Sequence, residues 1–198
     1  MKLLLISGFL GSGKTTLILS LARDLVQSRG KKVAIIVNEV GEIGVDDKVM
    51  KKANLNVWEI FSGCICCQLS VDLVTTLHKL SESDKPDLVL VEASGVANPA
   101  NVIDVLRYYR GEPLETVRTV VLVDPGRLEM LMEVLTPLVT SQVGAADLVL
   151  INKVDQASPE ELGRAGDIVG SLNPRAATLM ISAKEGLNTE SLLQELIG

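Results

Sequence analysis

The chain has 198 residues, 47% of them hydrophobic, enough to bury a core within a single domain without disulfide staples. Its formal net charge of −6, with no Lys/Arg-rich or aromatic-studded basic run, argues against nucleic acid and anionic membranes as partners and leaves small molecules and proteins. Met1 leads straight into an apolar strand pattern, with neither a signal-peptide layout nor a run long enough to span a bilayer, so a cytoplasmic location is expected.

The first predicted strand, Leu3-Leu4-Leu5-Ile6, runs into Gly8-Phe9-Leu10-Gly11-Ser12-Gly13-Lys14-Thr15-Thr16. A helix follows over residues 15–29, with Leu17, Ile18, Leu21 and Leu25 on one face. The G-x-x-x-x-G-K-T spacing in a strand-to-helix turn predicts a phosphate-binding loop. Gly11, Ser12 and Gly13 would offer backbone N–H groups to phosphate oxygens at the positive end of the helix. Lys14 would reach the β- and γ-phosphates, the Thr15 hydroxyl would ligate Mg²⁺, and Thr16 completes the nucleotide-binding string.

Val33-Ala34-Ile35-Ile36-Val37 reads as a parallel-sheet strand buried on both faces. It delivers the acidic, glycine-containing stretch 38–46 to the ligand side of the sheet, where Glu39, Glu42 and Asp46 could position Mg²⁺, the attacking water or a second metal. A short strand over 56–60 contains Trp58, read as core packing. After it comes Phe61-Ser62-Gly63-Cys64-Ile65-Cys66-Cys67, and then a helix starting close to Cys66, with Leu69, Leu73, Leu77 and Leu80 as its apolar stripe. Three thiols beside a helix N-terminus should titrate low and bind a soft or borderline metal such as Zn²⁺, Co²⁺ or Cu⁺. The fourth position would be filled by a carboxylate such as Glu42, by water or by another chain. His78, the one histidine, reads as a boundary residue and not a ligand.

Residues 87–91 form a fourth strand ending at Glu92, with Gly95 three residues on. That is the arrangement of a Walker B carboxylate followed by a γ-phosphate-sensing glycine. A fifth strand over 119–123 ends at the rival acid Asp124; Gly95 makes Glu92 the preferred one. Helices are expected over 99–110 and over about 127–143, the latter kinked at Pro137. The sixth strand, 147–151, ends in Asn152-Lys153-Val154-Asp155. In such an N-K-x-D element the aspartate accepts two hydrogen bonds that guanine offers and adenine does not. Lys153 would lie over the base and Asn152 would brace the loop. A seventh strand, 178–181, leads into Ser182-Ala183-Lys184, the companion base loop, and a helix over 189–197 closes the chain. The fold class expected is therefore α/β, a three-layer P-loop fold with a mostly parallel sheet of about seven strands, and one GTPase domain over 1–198.

The P-loop string, residues 38–46, the Cys64-Ile65-Cys66-Cys67 cluster and Glu92-Ala93-Ser94-Gly95 with Pro99 together resemble the CobW-like metallochaperone GTPases. UreG and HypB look like cousins. The resemblance implies GTP hydrolysis to GDP, slow without a partner, coupled to delivery of zinc, cobalt or another transition metal to a client metalloprotein or cofactor enzyme. It implies Cys64, Cys66 and Cys67 as the metal ligands, with Glu39 or Glu42 coupling that site to the switch; Lys14, Glu39 and Glu92 are the residues expected to serve the hydrolytic chemistry. A homodimer is compatible with the sequence. The carboxyl-terminal domain and histidine-rich stretch often found in the family have no counterpart in these 198 residues. The alternative reading is a regulatory GTPase assisting a cofactor-dependent, for instance corrinoid, enzyme, with structural or redox-active cysteines. A nucleotide kinase would need an arginine-rich lid that the chain does not display.

Overall fold

The computed structural model describes residues 1–37, 56–59 and 68–197. Seven strands are seen there: β1 (Lys2–Gly8), β2 (Val33–Val37), β3 (Asn56–Glu59), β4 (Leu88–Glu92), β5 (Thr116–Val123), β6 (Leu148–Ile151) and β7 (Ala177–Met180). They form one sheet in the order β3-β2-β4-β1-β5-β6-β7, and every pairing is parallel. The helices are α1 (Lys14–Arg29), α2 (Gln68–Glu82), α3 (Pro99–Val105), α4 (Pro125–Gly144), α5 (Pro159–Leu172) and α6 (Thr189–Ile197).

Because strand side chains alternate between faces, each apolar strand feeds two cores. Leu4, Ile6, Ile35, Leu90, Leu122 and Leu150 pack with Leu17, Leu21 and Leu25 of α1 and Leu192, Leu193 and Leu196 of α6. On the opposite face Leu3, Leu5, Ile36 and Val91 meet Leu73, Leu77 and Leu80 of α2. Farther along that face Val121, Val123, Val149 and Ile151 meet α4 and α5 through Leu128, Val139, Ala165 and Val169. The result is three layers, with all strands ending on one edge where the candidate site lies.

Several expected elements shift. β5 begins at Thr116 rather than residue 119, because its polar first turn still pairs with β1 through Lys2↔Thr116 and Leu4↔Arg118. The helix expected over 99–110 is α only to Val105; a 3₁₀ turn, Leu106–Tyr108, follows. Tyr109 then turns extended and buries its ring against His78, centroids 4.8 Å apart. The kink of α4 falls at Leu135 (φ −135°, ψ 33°), two residues before Pro137. The described part of α2 begins at Gln68.

No element is expected from the sequence over 156–177, where the structure has α5. Its start is a capping box: the Ser158 hydroxyl accepts from Glu161 N–H (3.3 Å) and the Glu161 carboxylate accepts from Ser158 N–H (2.7 Å). Ser158→Ala is expected to cost about 1 kcal/mol, read as a lower urea midpoint at unchanged slope. The Ser158 backbone N–H, and then its hydroxyl, hold the Glu161 carboxyl below the ordinary glutamate range. Being depressed on folding, this group stabilises the fold above its unfolded value, and the contribution is lost as pH falls through the lower folded value.

Candidate functional site

At the carboxyl end of β1 the chain must turn beneath β5. A Cβ on Gly8 (φ +136°) would stand 2.3 Å from the Leu122 carbonyl oxygen, so only glycine fits there. Gly11 (φ +76°) and Gly13 (φ +99°) continue the left-handed path, and Gly13 is the N-cap of α1. Lys14 is buried, and its ammonium donates to the carbonyls of Gly8 (3.0 Å) and Phe9 (3.3 Å), so it spans the loop it follows. Ser12 is buried within the loop and Thr16 is exposed.

β4 lies directly beside β1, with Glu92 in register with Ile6. This brings the Glu92 carboxylate to the Thr15 hydroxyl, which donates to it at 2.9 Å. A hydroxyl and a carboxylate juxtaposed at the end of a phosphate loop form a hard-oxygen pair suited to Mg²⁺. The rival acid is engaged elsewhere. Asp124 caps α4 by accepting from Gly126 N–H (3.2 Å) and pairs with the Lys153 ammonium at 2.8 Å.

Gly95 is buried against the phosphate loop, and a Cβ there would lie 2.8 Å from the Leu10 backbone nitrogen. Space, not backbone angle, is what requires glycine. Gly95→Ala is expected to push the two loops apart and to weaken nucleotide binding roughly tenfold to a hundredfold while the thermal melt changes little. Titration with a fluorescent GDP analogue, beside a melting curve, checks this.

The base-loop candidates also converge. Asn152, 2% exposed, donates from Nδ2 to the Ser12 carbonyl (2.7 Å) and accepts at Oδ1 from Ala183 N–H (2.9 Å). One side chain thus ties the phosphate loop to the loop after β7. Ser182 is buried, and its hydroxyl, followed by the Gln156 amide and the Lys184 charge, holds the Asp155 carboxyl below the ordinary aspartate range. Asp155 and Lys184 are exposed. Lys153 (φ +64°) sits in the left-handed region with its ammonium on Asp124.

Glu39, Glu42, Asp46, Cys64, Cys66 and Cys67 lie outside the described residues. Among the described residues no group of three or more His, Cys, Asp or Glu is placed to hold a metal ion. Nor, among them, is any helix long and apolar enough to cross a membrane. His78 accepts at Nε2 from Arg110 N–H (3.3 Å), a packing role.

Two residues at this edge escape the sequence reading. Gln142, 1% exposed on the inner face of α4, donates from Nε2 to the carbonyls of Gly95 (3.2 Å) and Ala97 (3.0 Å). Its signal is a polar side chain at helical spacing with Leu128, Leu131 and Val139. Arg127, in the first turn of α4, donates to the Leu10 carbonyl at 2.9 Å, and nothing local in the sequence announces it.

Residues 2–180 match the family described as CobW/HypB/UreG, nucleotide-binding domain. The chain belongs to this family. Among CobW/HypB/UreG relatives, the zinc chaperone YeiR of Escherichia coli K12 is 36% identical over 157 residues, 79% of this chain and 47% of that protein. The zinc chaperone CobW of a Sinorhizobium species is 33% identical over 211 residues, 91% of this chain and 58% of that one. The chain thus spans about half the length of these curated relatives. The Zn(II)-bound YjiA GTPase of E. coli superposes with a TM-score of 0.66 at 26% identity, covering 90% of this chain and 57% of that one. The hydrogenase maturation factor HypB of Archaeoglobus fulgidus superposes with a TM-score of 0.67 at 22% identity, covering 99% and 88%, a likeness of fold. The expected three-layer P-loop architecture and the expected family both hold.

Proposed function

We propose that this chain binds Mg²⁺·GTP, hydrolyses it slowly to GDP and phosphate, and couples that cycle to carrying a transition metal for a client metalloprotein or cofactor enzyme. The observation that carries the nucleotide part is the Asn152 bridge. It fastens an N-K-x-D strand end to the phosphate loop at one side and to the Ser182–Ala183 backbone at the other. Kinship with proteins named zinc chaperones supports the metal part.

In this reading Lys14 leaves its loop carbonyls for the β- and γ-phosphates, and backbone N–H groups of residues 11–16 encircle them. Thr15 and Glu92 would hold Mg²⁺, which would neutralise charge developing on the phosphates. Gly95, braced from behind by Gln142, presents its backbone to the γ-phosphate. Glu39 and Glu92 serve the hydrolytic step. Asp155 takes the guanine N1–H and amine, Ala183 N–H and its neighbours in residues 182–184 face the base oxygen, and Lys153 exchanges Asp124 for the face of the ring. Zn²⁺ or Co²⁺ is the cargo, held by Cys64, Cys66 and Cys67 with Glu42 as a further donor. A homodimer is compatible with this cycle.

Nucleotide can move the metal only if metal affinity differs between the GTP and GDP states. The test is a Co²⁺ and Zn²⁺ titration of the reduced protein without nucleotide, with Mg²⁺·GDP and with a non-hydrolysable GTP analogue, following thiolate-to-cobalt absorption. Tight binding that changes with the nucleotide and is lost in Cys66→Ser supports the reading. Binding indifferent to nucleotide makes the metal structural. No thiolate binding leaves a regulatory GTPase acting on a cofactor enzyme.

A further inference from the structure

Arg127 occupies an uncomfortable position. It is the third residue of α4, inside the first turn, where the helix dipole disfavours a cation. The acid one turn back, Asp124, is taken by Lys153 at 2.8 Å, and among the described residues Arg127 makes no ion pair. Its guanidinium is instead spent on a neutral acceptor, Nη1 donating to the Leu10 carbonyl at 2.9 Å across 117 positions of sequence. The same nitrogen would lie 3.0 Å from a Cβ on Gly11, so it rests on the Leu10–Gly11 peptide itself.

That peptide is the central one of a turn closed by Ser12 N–H donating to the Phe9 carbonyl at 3.1 Å. Its carbonyl belongs to Leu10 and its N–H to Gly11, and with no cis bond among the described residues the two point in opposite directions. Gly11 has φ +76° and no Cβ, so little intrinsic preference stops the peptide from turning over. A guanidinium holding the carbonyl on the α4 side forces the N–H to the other side.

We infer that Arg127 is a positioning residue that locks the Leu10–Gly11 peptide with its N–H toward the oxygen bridging the β- and γ-phosphates. The inference rests on the GTP reading given above. In hydrolysis the water oxygen bonds to the γ-phosphorus while the bond from that phosphorus to the bridging oxygen breaks. The electron pair stays on GDP and the water proton leaves with the phosphate. Negative charge therefore grows on the bridging oxygen, and a preset N–H there stabilises the transition state more than the bound substrate. Turnover, rather than affinity, is what the lock serves.

Arg127→Met keeps the stem and removes the donors; Arg127→Lys keeps one donor and the charge. With single-turnover GTP hydrolysis, GDP affinity and melting temperature, Arg127→Met is expected to slow hydrolysis about tenfold or more, leaving the other two close to wild type. Arg127→Lys is expected to recover part of the rate. In the nucleotide-free protein, the Leu10 carbonyl ¹³C and Gly11 amide ¹⁵N resonances are expected to move in Arg127→Met and to move back toward wild type in Arg127→Lys. Unchanged rate and unchanged resonances in Arg127→Met overturn the inference while the GTP reading stands. Rate and melting temperature falling together without rescue by lysine overturn it in favour of a purely structural contact. A wild-type protein that binds no guanine nucleotide overturns the GTP reading itself, and the turnover role with it.

Discussion

Asp155→Asn is expected to lower affinity for GTP and GDP about a hundredfold or more and to turn the preference toward xanthosine nucleotides. The carboxylate offers two acceptors, matching the two donors that guanine presents at N1–H and its exocyclic amine. An asparagine offers an acceptor and a donor, so an N–H faces the guanine amine, donor against donor, and one hydrogen bond is lost. Xanthine carries an oxygen where guanine carries that amine, and the mismatch becomes a match. Competition binding with GTP, XTP and ATP reads the effect directly, and a small loss for GTP with no gain for XTP would remove the 152–155 loop from base recognition. The pH dependence has a definite sign. The Ser182 hydroxyl holds the Asp155 carboxyl below the ordinary aspartate range. Its ionised, guanine-accepting form therefore persists through the mildly acid range, and affinity falls only as pH drops through that lowered value. Ser182→Ala releases the restraint and moves the fall to higher pH.

What could be read from the sequence divides along the reach of its contacts. The phosphate loop, the N-K-x-D end of β6 and the 182–184 loop are contiguous strings whose chemistry is set by neighbours in the chain, and the structure gathers them on one sheet edge. The preference for Glu92 over Asp124 likewise rests on a near neighbour, Gly95; in the structure the Thr15 hydroxyl donates to Glu92 at 2.9 Å, while Asp124 caps α4 and pairs with Lys153. Arg127 reaches the site across 117 positions with no local pattern to carry it, and Gln142, 47 positions away, shows locally only as a polar residue on the apolar stripe of α4, which does not name its partners. For α5 the obstacle is different. Gly163, Gly166 and Gly170 interrupt it, each lowering helix propensity by about 1 kcal/mol relative to alanine, and its apolar stripe of Leu162, Ala165 and Val169 is thin. Yet Ser158-Pro159-Glu160-Glu161 is a local start signal, so the element was legible from its cap even where its periodicity was weak. The cysteine cluster and residues 38–46 stay where the resemblance puts them, as proposals outside the described residues.

Asn152→Ala is expected to damage fold and nucleotide binding together, which separates it from the selective effect of Asp155→Asn. The substitution strips partners from two groups that one side chain satisfies, the Ser12 carbonyl and the Ala183 N–H. Each unsatisfied buried group costs roughly 1–3 kcal/mol, so the expected loss is about 3 kcal/mol once partial hydration is allowed for. In a domain of this size that corresponds to a melting temperature lower by roughly 6–12 °C. Gly13 fits directly over Asn152, a Cβ there lying 2.3 Å from Nδ2, so the truncation also leaves a gap beneath the N-cap of α1. GTP affinity should fall with both halves of the site loosened at once. The ratio of GTP to ATP affinity should shrink as well, because Ala183 N–H and Asp155 no longer hold a fixed distance from the phosphate loop. Asn152→Asp provides the control for charge against connection. It keeps an acceptor for Ala183 N–H but sets a carboxylate oxygen against the Ser12 carbonyl, and should be no more stable than the alanine variant. If Asn152→Ala instead leaves the GTP-to-ATP ratio intact while lowering stability, the bridge holds the fold alone and base recognition is assembled without it.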